Sequence, residues 1–190
     1  MLWLVVAGSY IIGTLPTALF IKGKGWRGPS ARGAVFFASQ IQDALWWLAV
    51  ETGKGMTAAG LGLLAGGWSG AVAASIAVVL GQVAPVFPGF RGGKGAAVAA
   101  GTLVVLSPLL IVVGLAAYGI CLVLTRYLSF STMAAVVTVM VAALFFFPKL
   151  YLLIVVLPVG TLILYRYRED WKRWRRGFES PFVWKGPRQR

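Results

Sequence analysis

Continuous apolar runs dominate the chain, at about Leu2 to Ile21, Ala34 to Val50, Met56 to Leu80, Ala96 to Thr125, Phe130 to Phe147 and Leu150 to Tyr165. A helix of about 20 residues, within a range of about 17 to 25, crosses the hydrocarbon of a bilayer, so each run predicts at least one helix. The runs do not alternate apolar with polar, which argues against a transmembrane barrel. The stretch from Ala96 to Thr125 is too long for one span without strong tilt and too short for two full ones, and Pro108 sits near its middle. It divides most simply into two short helices meeting at Ser107 and Pro108.

Charge decides that division. With the stretch divided, seven helices result, and the cationic loops Lys22 to Arg32 and Arg91 to Lys94, Arg126 and the tail all fall on one face. All but Lys54 and Lys149 of the 18 Lys and Arg then lie inside. An undivided stretch gives six helices and puts the basic tail on the side of the N-terminus, so the positive-inside rule selects seven. No basic segment precedes Leu2, whereas Lys22 and Lys24 follow the first run, which predicts a retained first helix, an outside N-terminus and a cytoplasmic C-terminus. The fold class expected is an all-α, polytopic membrane bundle, some of its helices short or Pro-broken, with residues 1–190 as a single integral membrane domain. Residues 166–190 form its basic cytoplasmic tail, which mixes Arg and Lys with Trp and suits anionic membrane lipids at the interface.

Composition agrees and removes several chemistries. Of the 190 residues 59% are hydrophobic and 12% charged, with 18 Lys and Arg against 5 Asp and Glu. The mean hydropathy of +0.83 leaves too little polar surface for a soluble domain. There is no His and a single Cys, Cys121, so His catalysis, thiolate clusters, an internal disulfide and the usual metal sites are all removed. No cofactor, no metal and no nucleic-acid partner is expected.

Chemistry concentrates in GQVAPVFPGFRGGKGAAVAAG, residues 81–101. Arg91, Gly92, Gly93, Lys94 and Gly95 lead into a small-residue apolar helix. Glycines let backbone amides approach an anion, Lys94 adds a point charge, and the helix N-terminus adds its positive dipole end. The arrangement suits phosphate, although it is not a Walker loop: the spacing differs, and Gly95 stands where Ser or Thr would hold magnesium. A basic turn on the inner leaflet is the plainer alternative. A second Gly-rich loop, KGKGWRGPSARG at residues 22–33, carries Arg27, Ser30 and Arg32 toward the same face, again as a phosphate site or as a topological anchor. Asp43 and Glu51 lie about two turns apart on one helix face; intramembrane acids are either functional or satisfied by a partner inside the bundle. Tyr127, Ser129, Ser131 and Thr132 make a hydroxyl-rich break that binds phosphate oxygens or caps the next helix.

Several of these stretches together resemble the bacterial acyl-phosphate:glycerol-3-phosphate acyltransferases of the PlsY type. Residues 81–101 resemble that family's GHxxPxFxxFxGGKGVATxxG, with Gly81, Pro85, Phe87, Phe90, Gly92, Gly93, Lys94, Gly95 and Gly101 in place. Gly13, Leu15 and Pro16 are similar to GSxP, Glu51, Lys54 and Gly55 to DxxKG, and Tyr127, Ser129 and Ser131 to YxSxxS. RYREDWKRWRRGFES resembles RHRxNIxRLxxGxE, keeping Arg166, Arg168, Gly177 and Glu179. The polar set departs: GPSARGAVF stands for GSGNxGxTN, Gln82 and Tyr167 stand at the family's two His positions, and Asp170 replaces Asn.

The resemblance implies transfer of a fatty acyl group from acyl phosphate to the first hydroxyl of glycerol 3-phosphate in a cell (inner) membrane, releasing phosphate and lysophosphatidic acid. It nominates Ser30, Arg32 and Asp170 as catalytic. Arg27, Arg91, Gly92, Gly93, Lys94, Gly95, Ser129, Ser131, Gln82, Tyr167 and Arg168 are nominated as substrate-binding. Acyl phosphate is already activated, so orientation and cations on the departing phosphate suffice and no nucleophilic residue is needed. The hydroxyl proton goes to a substrate phosphate oxygen, with Asp170 as the protein alternative. A paralogue of the same fold, inactive or using another acceptor, is the competing reading. A transporter would instead need a polar path lined by Asp43.

Overall fold

The structure, a computed structural model, describes residues 2–15, 38–86, 93–146 and 148–175. Among them the regular elements are helices: α1 (Leu2–Thr14), α2 (Ala38–Val83), α3 (Ala96–Leu106), α4 (Pro108–Thr125), α5 (Leu128–Phe145) and α6 (Leu150–Arg175). α2 is not one rod. Gly66 (φ −153°, ψ 23°) and Gly67 (φ 60°, ψ −148°) break it, and Gly67 lies where a side chain is strained. A Cβ added at Gly62 would collide with the carbonyl of Gly70 and come within 2.7 Å of Ala74 Cβ. On a straight helix positions 62 and 74 would stand about 18 Å apart. The two limbs therefore fold back on each other as a helical hairpin.

This moves a boundary that the sequence places between Val50 and Met56. Charged Glu51 and Lys54 suggest a loop, yet the helix runs through them, because at i and i+3 they pair with each other. Nζ of Lys54 is 3.3 Å from Glu51 Oε1, with the two side chains 7% and 1% exposed. Lys54 also donates to the carbonyl of Leu15 at 2.7 Å, just past the end of α1. Lys54 is thus a buried strut inside the bundle and not an outward loop residue. The break at Ser107 falls where expected: it ends α3 and opens α4 with φ −160° and ψ 91°, and Pro108 takes the first helical position, where a missing N–H costs nothing.

Small residues set the packing. Gly13 and Gly81 let α1 approach the second limb of α2 until a Cβ on either would strike a backbone carbonyl, of Val78 and Tyr10 respectively. Gly55 and Gly101 do the same between the first limb and α3, against Val98 and Thr52. Close backbone approach through small residues is how helices gain contact in lipid, where the solvent offers no hydrophobic drive. The core gathers Val78 and Val79 of α2, Val98 and Leu103 of α3, Leu110 of α4, Val139 of α5, and Val155, Val159 and Ile163 of α6.

The rest of the apolar surface faces outward. Val123, Leu124 and Phe145 are about three-quarters exposed, and most of the strongly apolar α4 faces outward. Among the described residues four helical stretches are long and apolar enough to cross a membrane, Leu45–Val83, Pro108–Thr125, Leu128–Phe145 and Leu150–Arg168, while α1 and α3 are shorter. α3, with 11 residues, is about 16 Å long and is sheltered by its neighbours. The bundle has two distinct ends: Leu2 reaches Gly66, and Trp68 stacks on Tyr151 at 4.6 Å, at one; Lys94, the start of α5 and the end of α6 meet at the other.

Candidate functional site

The glycine-rich segment enters α3 through a residue that only glycine suits. Gly95 is the N-cap of α3 at φ 79° and ψ −7°, with no side-chain cap on the helix. Its carbonyl accepts from Ala99 N at 2.9 Å, closing the first turn. The opening N–H groups of a helix have no acceptor within it, and they carry the positive end of its dipole. The turn lies tight on the second limb of α2: a Cβ at Gly95 would meet Val83 Cγ2 at 3.1 Å and Val79 Cγ1 at 3.3 Å. Gly93 is backed by the buried Gln82, whose Nε2 would lie 2.5 Å from an added Cβ. Gln82 is therefore in contact with the loop.

α6 supplies the other wall. Tyr167 and Asp170, three apart, project from one face of the helix toward Lys94. The Lys94 ammonium sits 4.3 Å from the centroid of the Tyr167 ring and is ion-paired with Asp170 Oδ2. Tyr167 is buried, and Lys94 and Asp170 are partly so. A cation over a desolvated aromatic face gains roughly 1 to 2 kcal/mol. Two further contacts fix α6 along its axis at this height. Arg166 donates through Nη2 to the Val83 carbonyl at 3.3 Å, and Trp171 stacks on Phe130 of α5 at 6.0 Å.

Other nominated residues divide by position. Ser131 is buried in the first turn of α5 and donates to the Tyr127 carbonyl at 2.7 Å, closing that turn, and Ser129 lies half-buried one residue into the same helix. Arg126, at φ 62°, turns the chain between α4 and α5. Arg168 lies on the outer face of α6, its guanidinium 4.2 Å from the Tyr165 ring, and not with Tyr167 and Asp170. Arg27, Ser30, Arg32, Arg91 and Gly92 lie outside the described residues, as does the side chain of Asp43.

Sequence reading passed over the Glu51, Lys54 and Leu15 connection, although the i, i+3 spacing of opposite charges inside an apolar run was its signal. Glu51 has the basic partner that the satisfied-acid reading anticipates. Among the described residues no three His, Cys, Asp or Glu side chains come together in a way that would hold a metal ion.

The family model for glycerol-3-phosphate acyltransferase matches residues 3–177. The chain belongs to that family. The glycerol-3-phosphate acyltransferase of Bacillus velezensis is 32% identical over 95% of this chain and 97% of its own. That of Symbiobacterium thermophilum is 34% identical over 90% of each. Among solved structures, the glycerol 3-phosphate form of PlsY, an integral membrane glycerol 3-phosphate acyltransferase, superposes with a TM-score of 0.84, at 25% identity and 96% of each chain. The lysophosphatidic acid form of PlsY gives the same TM-score at 26% identity, over 96% of this chain and 95% of the other. This chain is a multi-pass membrane protein of that family.

Proposed function

We propose that the protein transfers a fatty acyl group from acyl phosphate to the first hydroxyl of glycerol 3-phosphate, at the end of the bundle that carries Lys94. The observation that carries this reading is the meeting of Lys94, from the glycine turn, with Tyr167 and Asp170 of α6, because Lys94 and Asp170 are 76 positions apart in the chain. PlsY structures in glycerol 3-phosphate and lysophosphatidic acid forms support the acceptor and the product. The acyl phosphate donor rests on the motif resemblance, strongest over residues 81–101.

In this mechanism the α3 N-terminus and Lys94 hold phosphate oxygens, and Arg27, Arg32 and Arg91 add cations from the two basic loops. Ser30 and Ser129 supply hydroxyl contacts, Ser131 closes the first turn of α5, Gln82 fixes the back of the glycine turn, and Arg168 attracts phosphate from the outer face. The acceptor hydroxyl oxygen attacks the acyl carbonyl carbon, and the bond from that carbon to the phosphate oxygen breaks. The electron pair leaves with inorganic phosphate, and the hydroxyl proton passes to a substrate phosphate oxygen. Cations aimed at the departing phosphate stabilise the charge that develops there. The fatty chain lies along the exposed apolar faces, in a cell inner membrane that seven helical segments cross, with the N-terminus outside and the basic C-terminus cytoplasmic.

The test is turnover by the purified protein in lipid nanodiscs given palmitoyl phosphate and glycerol 3-phosphate. Phosphate release should match lysophosphatidic acid formation one for one, and Lys94→Ala should lower the rate by about a hundredfold or more, the size lost with one preorganised electrostatic contact. A folded protein with no turnover would overturn the reading in favour of a paralogue with another acceptor.

A further inference from the structure

The phosphate-binding lysine of this chain carries its own counter-ion, and we propose that Asp170 competes with substrate phosphate for Lys94, setting a weak affinity for the acceptor. This rests on the acyltransferase reading and deepens it by assigning a specificity-determining role to one residue.

Three features of the site lead there. The Asp170 carboxylate is ion-paired with Lys94, and both side chains are largely withdrawn from solvent, at 15% and 24% exposure. Screening by water is therefore reduced at this pair. The Tyr167 ring lies 4.3 Å from the same ammonium and bounds it on another side, so a phosphate reaching Lys94 must also approach the carboxylate. Finally, α6 is fixed at this height by Arg166 on the Val83 carbonyl and by Trp171 on Phe130. Asp170 can yield only by rotating its side chain. A phosphate gains the ammonium by displacing a carboxylate from it, and the two anions then stand side by side in a partly buried site, where like charges repel more strongly than in water. A neutral residue at position 170 would offer phosphate the same cation without that repulsion.

The experiment compares the full-length wild type, Asp170→Asn and Asp170→Glu in nanodiscs. In steady-state turnover with palmitoyl phosphate, KM for glycerol 3-phosphate should fall about tenfold in Asp170→Asn, equivalent to about 1.4 kcal/mol, so that kcat/KM rises through KM. Inhibition by inorganic phosphate should tighten by a similar factor. Asp170→Glu retains the charge and should keep the higher KM. A hundredfold fall in kcat in Asp170→Asn would overturn the proposal and make Asp170 the proton acceptor. A higher KM in Asp170→Asn would overturn it by showing that the carboxylate positions Lys94 for its ligand, and equal shifts in both variants would show that shape and not charge matters.

Calorimetric titration of glycerol 3-phosphate separates this proposal from the acyltransferase reading. If the wild type folds but has no turnover, tighter binding by Asp170→Asn keeps the counter-ion role while the reaction is rejected; equal or weaker binding rejects the counter-ion role as well.

Discussion

Replacing Gly95 by Ala tests whether the turn into α3 holds Lys94 in place. At φ 79° an L side chain costs roughly 1 to 2 kcal/mol, from the clash of its Cβ with the following carbonyl. The new methyl would also press on Val83 Cγ2 at 3.1 Å and Val79 Cγ1 at 3.3 Å, branched side chains with little room to move. Together these predict a loss of about 2 kcal/mol, or about 4 to 8 °C in unfolding temperature for a chain of this length. The turn can relieve the strain only by shifting, and a shift of about 1 Å in a positioning group costs on the order of a hundredfold in rate. Thermal unfolding in detergent and turnover in nanodiscs read the two effects. Gly119→Ala is the control, because an added Cβ there meets nothing within 4 Å and should be neutral or stabilising by up to about 1 kcal/mol. If Gly95→Ala were as stable as Gly119→Ala and kept full turnover, the argument from φ and close contact would be wrong.

Other perturbations probe the frame that carries the site. Gly101→Val drives a side chain into the Thr52 carbonyl and should destabilise by about 3 kcal/mol or block insertion, read by unfolding temperature and expression in membranes. Glu51→Leu removes the carboxylate that balances the buried Lys54 charge and should cost about 3 to 5 kcal/mol; adding Lys54→Met should recover most of that in the same unfolding assay, since a buried pair replaced by apolar residues is often neutral. Ser131→Ala removes the hydrogen bond to the Tyr127 carbonyl and should lower stability by about 1 kcal/mol. If Ser131 also binds substrate, its KM for glycerol 3-phosphate should rise as well.

The membrane bundle, the break at Ser107 and Pro108, and the glycine turn that leads through Lys94 and Gly95 into a helix were all legible in the chain itself. Hydropathy, proline geometry and the conformational freedom of glycine are properties of short segments, and short segments are what a sequence displays. The hairpin at Gly66 and Gly67 was less legible, because charged Glu51 and Lys54 looked like the end of a span. Only packing decides whether two charges face water or each other, and here they face each other, with the Leu15 carbonyl as a third partner. The meeting of Lys94 with Tyr167 and Asp170 was likewise decided by tertiary structure. Residue types nominated each of them, but contact between positions 76 apart depends on how α2, α3 and α6 pack together, and glycines that let the α2 and α3 backbones touch set part of that packing. The separation of Arg168 from that pair has a simple helical cause: one residue is a rotation of about 100°, enough to take it off the face that Tyr167 and Asp170 share.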